Sequence, residues 1–294
     1  MARSFCLPFL AGAALGLATG AAGQQPTFRS MADAVRVDVL VTGGSGPVRG
    51  LSAPDFEVRD NGIIQRVDIV SYEQAPLGLV LALDVSASVQ GHRLAALVDG
   101  CGAILDGLKP DDVVSLIAFN HGLSRRVGPT RDRGQVRAAL RQLAGFGATS
   151  LRDATHAAVV AAGAGEGRPV AVVFSDGDDT SSWLDEDEAL DTVRKSEVLV
   201  YGISAGRLFS SFLRDAARAS GGELFETTSD QKLRETFLTV LDEVKSRYVL
   251  GFTPTGVSEA GWHKLDVRVK DRSVSVKARP RYFKSDTSVV SYKY

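Results

Sequence analysis

Residues 77–88 read LGLVLALDVSAS, an apolar run that ends in one carboxylate, Asp84, and two hydroxyls, Ser86 and Ser88, at alternate positions. In an extended segment the side chains at i, i+2 and i+4 point the same way. The three oxygens are therefore expected to face one point just past the strand end, and hard cations take such oxygen ligands. The unbroken apolar run suits a parallel strand covered on both faces, and open α/β sheets bind ligands at the carboxyl ends of such strands. D-x-S-x-S alone is a permissive pattern, but two further segments accompany it. FGATSLRDA (residues 146–154) places Thr149 in a Gly-containing loop ahead of a helical pattern that begins near Leu151. FSDGDD (residues 174–179) places Asp176 after the apolar run Ala171 to Phe174, a second carboxylate at a strand's carboxyl end.

With these three segments in order, the chain resembles the von Willebrand factor A-type domain over about Pro76 to Lys245. Asp84, Ser86, Ser88, Thr149 and Asp176 match the five positions of that family's metal-ion-dependent adhesion site. The resemblance implies an α/β fold with a Rossmann-like, doubly wound, mostly parallel sheet. It also implies a non-catalytic protein-binding role, in which a divalent cation at the top of the sheet accepts an Asp or Glu oxygen from a protein partner. The residues alone suggest the same vacancy. Two carboxylates and neutral hydroxyls leave residual positive charge on a divalent ion, and octahedral Mg²⁺ needs water or an outside oxygen at its remaining positions. Oxygen-only ligands favour Mg²⁺, with Mn²⁺ or Ca²⁺ as alternatives, over zinc. In the flanks, GLSAPDFEVRDNG (residues 50–62) and RYVLGFTP (residues 247–254) resemble bacterial secreted proteins that carry this domain between short β-rich segments.

The rest of the chain is read around that core, residues 76–246. Residues 1–23 have the pattern of a cleavable export signal: Arg3, then an apolar core from Phe5 to Leu17, then Ala21-Ala22-Gly23. The expected product is secreted or periplasmic, starts near Gln24, and has no stable membrane span. Cleavage leaves Cys101 without an intramolecular disulfide partner, on an apolar helical face with Leu94, Leu97, Val98, Ile104, Leu105 and Leu108. A formal net charge of -1 argues against nucleic acid as a global electrostatic partner.

Residues 34–73 read as β: Val35, Val37, Val39 and Val41 alternate with polar positions, and Asn61-Gly62 marks a hairpin between Phe56–Arg59 and Ile63–Val70. Within the core, helices are expected at about 92–108, 151–164, 185–196, 208–220 and 231–245, and one capped by Thr130 and running to about Leu143. Strands are expected at about 113–119, 169–174, 198–203 and 222–225. Residues 247–284 return to β, with a tight turn at Asp271-Arg272, and residues 285–294 read as a loose tail. The two β flanks either form one small sandwich around the core or stand as separate appendages.

Asp178 and Asp179 read as solvated turn residues or as supports behind the cation ligands. Trp183 and Leu184 either rim the site or pack onto the following helix. A competing enzyme reading rests on Gly202-Ile203-Ser204-Ala205-Gly206, which fits G-x-S-x-G after a strand pattern, with His263 following in chain order. It would make Ser204 a hydrolase nucleophile.

Overall fold

The computed structural model describes residues 34–72, 75–206, 210–257, 260–270 and 272–285; residues 1–23, read as an export signal, Leu208, Asp271 and residues 286–294, read as a tail, lie outside them. In the N-terminal segment, β1 (Val35–Gly43) buries Val35, Val37, Val39 and Val41 as the alternation requires. The two-residue β2 (Gly46–Pro47) folds back on it. β3 (Phe56–Asp60) and β4 (Ile63–Gln65) form the expected hairpin, with φ of 48° at Asn61 and 87° at Gly62, both positive as a two-residue loop of this kind demands. The run Ile63 to Val70 is not one strand, however. It stops at Gln65, whose amide binds Thr255 (Nε2 to Thr255 O 3.0 Å, Thr255 N to Oε1 2.8 Å), and resumes as β5 (Ile69–Tyr72) in a different sheet. The polar Arg66–Asp68 pair sits at the crossing.

Strand and helix then alternate: β6 (Leu77–Asp84), α1 (Gly91–Gly107), β7 (Val113–Phe119), β8 (Leu123–Thr130), α2 (Arg133–Leu140), α3 (Leu151–Gly163), β9 (Arg168–Ser175), α4 (Glu186–Lys195), β10 (Leu199–Ala205), α5 (Ser211–Ser220), β11 (Leu224–Thr227) and α6 (Leu233–Lys245). The sheet order is β11-β10-β9-β6-β7-β8, parallel except for β8, which runs antiparallel to β7. Every β6 side chain is buried. Leu79, Leu81 and Leu83 enter one apolar layer with Leu97, Ile104, Phe237 and Leu241 of α1 and α6, while Val80 and Ala82 face Leu151, Ala154 and Ala158 of α3. At about 1.5–3 kcal/mol for each large side chain buried, this two-sided cover is the main source of stability. α6 lies close on α1 because Gly100 has no Cβ: one there would stand 2.5 Å from Phe237 Cδ2. Cys101 is fully buried in that layer, and burial pushes its thiol pKa up.

Two boundaries differ from expectation. Thr130 ends β8, and its hydroxyl accepts from Asp132 N at 3.0 Å rather than from an amide of the helix's first turn; Asp132 caps α2, accepting from Gly134 N at 2.8 Å and Gln135 N at 3.2 Å, and the helix ends at Leu140. The edge strand β8 has no strand signal in the sequence because Leu123–Arg126 are exposed and Ser124, Arg125 and Arg126 leave no buried alternation. α5 starts after Ser210, whose hydroxyl accepts from Leu213 N.

The chain closes with β12 (Tyr248–Phe252), β13 (Gly261–Val269), β14 (Ser275–Lys277) and β15 (Arg281–Lys284). β12 pairs with both β1 and β5, giving a sheet ordered β14-β1-β12-β5 with β2 on β1. β13 pairs with β3 and β15, giving a second sheet ordered β15-β13-β3-β4. Val37, Val39, Phe56, Val58, Tyr248, Leu250, Leu265 and Tyr282 share one apolar cluster between them. The two flanks thus form one sandwich, with the α/β layer inserted between β5 and β12. Arg168 ties the parts together: its Nε pairs with Asp38 of β1, and its Nη1 donates to Val244 O of α6 at 2.9 Å.

Candidate functional site

The chain leaves β6 for α1 and β7 on one side of it, and returns through α3 to β9 on the other. The carboxyl end of β6 is therefore the point where the strand order reverses, the usual crevice for ligands in such sheets. Asp84 stands there, fully buried. Its Oδ1 accepts from Ser86 N at 2.8 Å and its Oδ2 from Ser175 Oγ at 2.7 Å. Burial pushes the Asp84 carboxyl above its ordinary pKa, hydrogen bonds from Ser175 and Ser86 offset part of that, and the nearby Asp176 adds to it. Past Asp84 the chain is not extended, as the spacing argument assumed. It turns at once, with Val89 N donating to Ser86 O at 3.0 Å. The turn gathers the hydroxyls instead: Ser86 Oγ and Ser88 Oγ are 3.1 Å apart, and Ser88 Oγ donates to Asp176 Oδ1 at 2.7 Å.

Thr149 is buried in a loop stitched to both neighbours. Phe146 N donates to Val85 O and Ala87 N to Gly147 O, each at 2.9 Å, while Thr149 O accepts from Thr180 N at 2.8 Å and Ser181 N at 3.0 Å. The close approach needs Gly145, where a Cβ would lie 2.1 Å from Val89 O. The structure therefore joins Asp84, Ser86, Ser88 and Asp176 through hydrogen bonds and holds Thr149 on the adjoining loop. Among the described residues no hydrogen bond links the Thr149 hydroxyl to the other four.

Of the other residues at the site, Ser175, Arg93 and Asp153 carried no pattern in the sequence. Ser175 is visible only as the residue before Asp176. Arg93, in the first turn of α1, places Nη1 2.5 Å from Asp176 Oδ2 and Nε 2.9 Å from Asp230 Oδ1. Asp179 is a support rather than a solvated turn residue: it accepts from Arg152 N and Nη2, both at 2.9 Å, from Ser182 N at 3.1 Å, and from Ser182 Oγ. Asp178 is exposed. Asp153 holds the next stretch, accepting from Trp183 N at 2.9 Å and Leu184 N at 3.0 Å. The Trp183 side chain is 94% exposed on this clamped loop.

Ser204 and His263 are not brought together. Ser204 lies inside β10, paired on one side with Ser175 and on the other with Glu226, and is buried. The pattern thus falls within a strand and not on the sharp strand-to-helix turn that exposes a nucleophile. His263 is buried in the sandwich, with Nδ1 2.8 Å from Asp60 Oδ1 and Tyr282 OH donating to Asp60 Oδ2 at 2.6 Å.

The donors suit a hard cation: all are oxygens, two of the residues are carboxylates, and among the described residues the buried Asp84 carboxyl is held by neutral donors alone. Among the described residues no three His, Cys, Asp or Glu gather as a metal site, so a cation here relies on the hydroxyls.

Residues 79–178, which contain all five positions, match the family model described as von Willebrand factor type A domain. No curated protein sequence matches the chain significantly. Among solved structures, a von Willebrand factor type A protein from Catenulispora acidiphila is similar with a TM-score of 0.53 at 13% identity, over 82% of this chain and 76% of that one. Proximal thread matrix protein 1 from the mussel byssus, in a form with a zinc-occupied MIDAS motif, gives 0.51 at 18% identity, over 62% of this chain and 48% of that one. This chain thus spans about half the length of the mussel protein. At such identities the likeness shows the fold, and the α/β core has the von Willebrand factor A-type fold that the three segments implied.

Proposed function

We propose that this is an exported, metal-dependent protein-binding module. In this reading Asp84, Ser86, Ser88, Thr149 and Asp176 hold a divalent cation, Mg²⁺ by the chemistry of the ligands, and the protein has no catalytic role. A cation held there supplies residual positive charge at an open coordination position, where a partner's Asp or Glu oxygen can bind.

The observation that carries the reading is the continuous run of oxygens from Ser86 Oγ through Ser88 Oγ to Asp176 Oδ1, set beside the buried Asp84 at the strand-order reversal. Each residue taken singly suits a turn or a helix cap; hydroxyls and carboxylates converging in one place from the carboxyl ends of β6 and β9 and the turns after them are not explained by caps. The zinc-occupied motif of the mussel protein supports the same use of this fold. Ser175 and the amide of Ser86 fix the Asp84 carboxylate, and the Thr149 loop is fixed by backbone hydrogen bonds to both neighbours, so the ligands are largely positioned before any cation binds.

The test is capture of partners by the immobilised protein from the exported fraction of its source, in Mg²⁺ and in chelator. Mg²⁺-dependent capture that Asp84→Ala abolishes is expected. Capture indifferent to chelator would refute the mechanism.

A further inference from the structure

Asp176 is engaged from two directions. Its Oδ1 accepts from Ser88, and its Oδ2 accepts from the Arg93 guanidinium at 2.5 Å; the Asp176 side chain is 1% exposed and that of Arg93 26%. The same guanidinium turns its Nε to Asp230 Oδ1 at 2.9 Å, in the short 3-10 turn Asp230–Lys232 that leads into α6. A permanent cation thus sits on one of the two carboxylates assigned to the metal, and a second acid outside the site shares it. Arginine stays protonated at any working pH. It competes for Asp176 whatever the conditions.

From this we infer that Arg93 is an internal competitor for the cation site: it neutralises Asp176 when no cation is bound, and Asp230 is the acceptor that keeps it when a cation takes the Asp176 oxygen. The inference rests on the reading of Asp84, Ser86, Ser88, Thr149 and Asp176 as the cation site. When all are ionised, Asp84, Asp176 and Asp230 against the single Arg93 leave an excess of two negative charges, which one divalent ion balances. The arrangement would keep cation affinity low, so that occupancy follows the ambient concentration of the ion rather than being fixed once at folding.

Two substitutions should move affinity in opposite directions. Arg93→Gln removes the competing charge while keeping a side chain of similar reach, and cation affinity should rise about tenfold, the change that 1.4 kcal/mol corresponds to. Asp230→Asn removes the alternative acceptor, commits Arg93 to Asp176, and should lower affinity several-fold. A packing role for Arg93 would instead weaken binding in both variants.

The experiment is a Mn²⁺ titration of the purified protein and the two variants, reading free Mn²⁺ by electron paramagnetic resonance, with thermal melts to verify folding. Tighter binding by Arg93→Gln together with weaker binding by Asp230→Asn supports the inference. If the wild type binds Mn²⁺ and Arg93→Gln binds no more tightly, Arg93 is not a competitor although the site reading stands. If neither binds Mn²⁺, both fall together.

Discussion

Asp179→Ala is expected to destabilise the protein by about 2–3 kcal/mol. The Asp179 side chain is 9% exposed and takes four hydrogen bonds, two from Arg152 and two from Ser182. Hydrogen bonds to a charged group contribute about 1.5–3 kcal/mol each when isolated. Here they share one carboxylate, and water can reach part of the loop once it is gone, so the sum is far below four times that figure. Arg152 sharpens the loss, because its Nε is already buried without a partner among the described residues and the variant takes away the acceptor of its Nη2. For a domain of this size the change corresponds to a fall in Tm of about 4–12 °C. The pH dependence gives an independent check. Burial works to raise the Asp179 pKa, but the hydrogen bonds from Arg152 and Ser182 outweigh it and hold the carboxyl below its ordinary value of 3.8. A carboxyl depressed on folding stabilises above its unfolded pKa, and that stability is lost as pH falls through the folded value. The stability difference between wild type and Asp179→Ala in urea unfolding should therefore be largest near neutrality and shrink as pH falls below 3.8, by the part that the depressed pKa contributes. Stabilities within 0.5 kcal/mol of each other at pH 7, about the range of an inconsequential surface change, would refute the reasoning.

Three other outcomes are expected. Gly145→Ala puts a Cβ 2.1 Å from Val89 O, a backbone atom that cannot rotate away; a loss of about 1–3 kcal/mol is expected in urea unfolding, with cation affinity reduced because the Thr149 loop must lift. Cys101 should resist a thiol reagent in the native protein and react promptly in denaturant, as mass spectrometry would show, since the thiol is fully buried and its pKa is pushed up by burial. Trp183→Ala should leave stability within about 0.5 kcal/mol of wild type while removing the most quencher-accessible part of the tryptophan fluorescence, because the 94% exposed Trp183 contrasts with Trp262 at 40%.

The parallel core was legible because its strands are buried on both faces: runs such as Leu77–Asp84 and Val113–Phe119 are buried throughout, carry only Asp84 and Ser115 as polar members, and are separated by helical periodicity. The hairpin at Asn61-Gly62 was legible from the demand for positive φ. The edge strand β8 was not, since one side of it faces solvent and its arginines read as loop. Nor was the sheet change after Gln65, which depends on a side chain bound to Thr255, 190 residues away. The same division holds at the site. Asp84, Ser86, Ser88 and Asp176 carry a spacing or a strand end that a reader can find, although the hydroxyls meet through a turn and not along an extended face. Arg93 and Asp230 act through partners remote in sequence, and nothing in their neighbours sets them apart from ordinary surface charge; Asp179 stood out only as part of an acidic loop, and its supporting role depends on Arg152 and on the shape of that loop.

Calorimetric titration of Mg²⁺ and Mn²⁺ into the wild type and Asp84→Ala tests the central claim most directly. Asp84 is one of two carboxylates in the donor set, so its removal takes half of the negative charge the cation would meet, and attraction between charges at this range is strong. The expected result is saturable binding of one ion by the wild type and none by Asp84→Ala, with the variant still folded. Unchanged ion affinity in a folded Asp84→Ala would contradict the account.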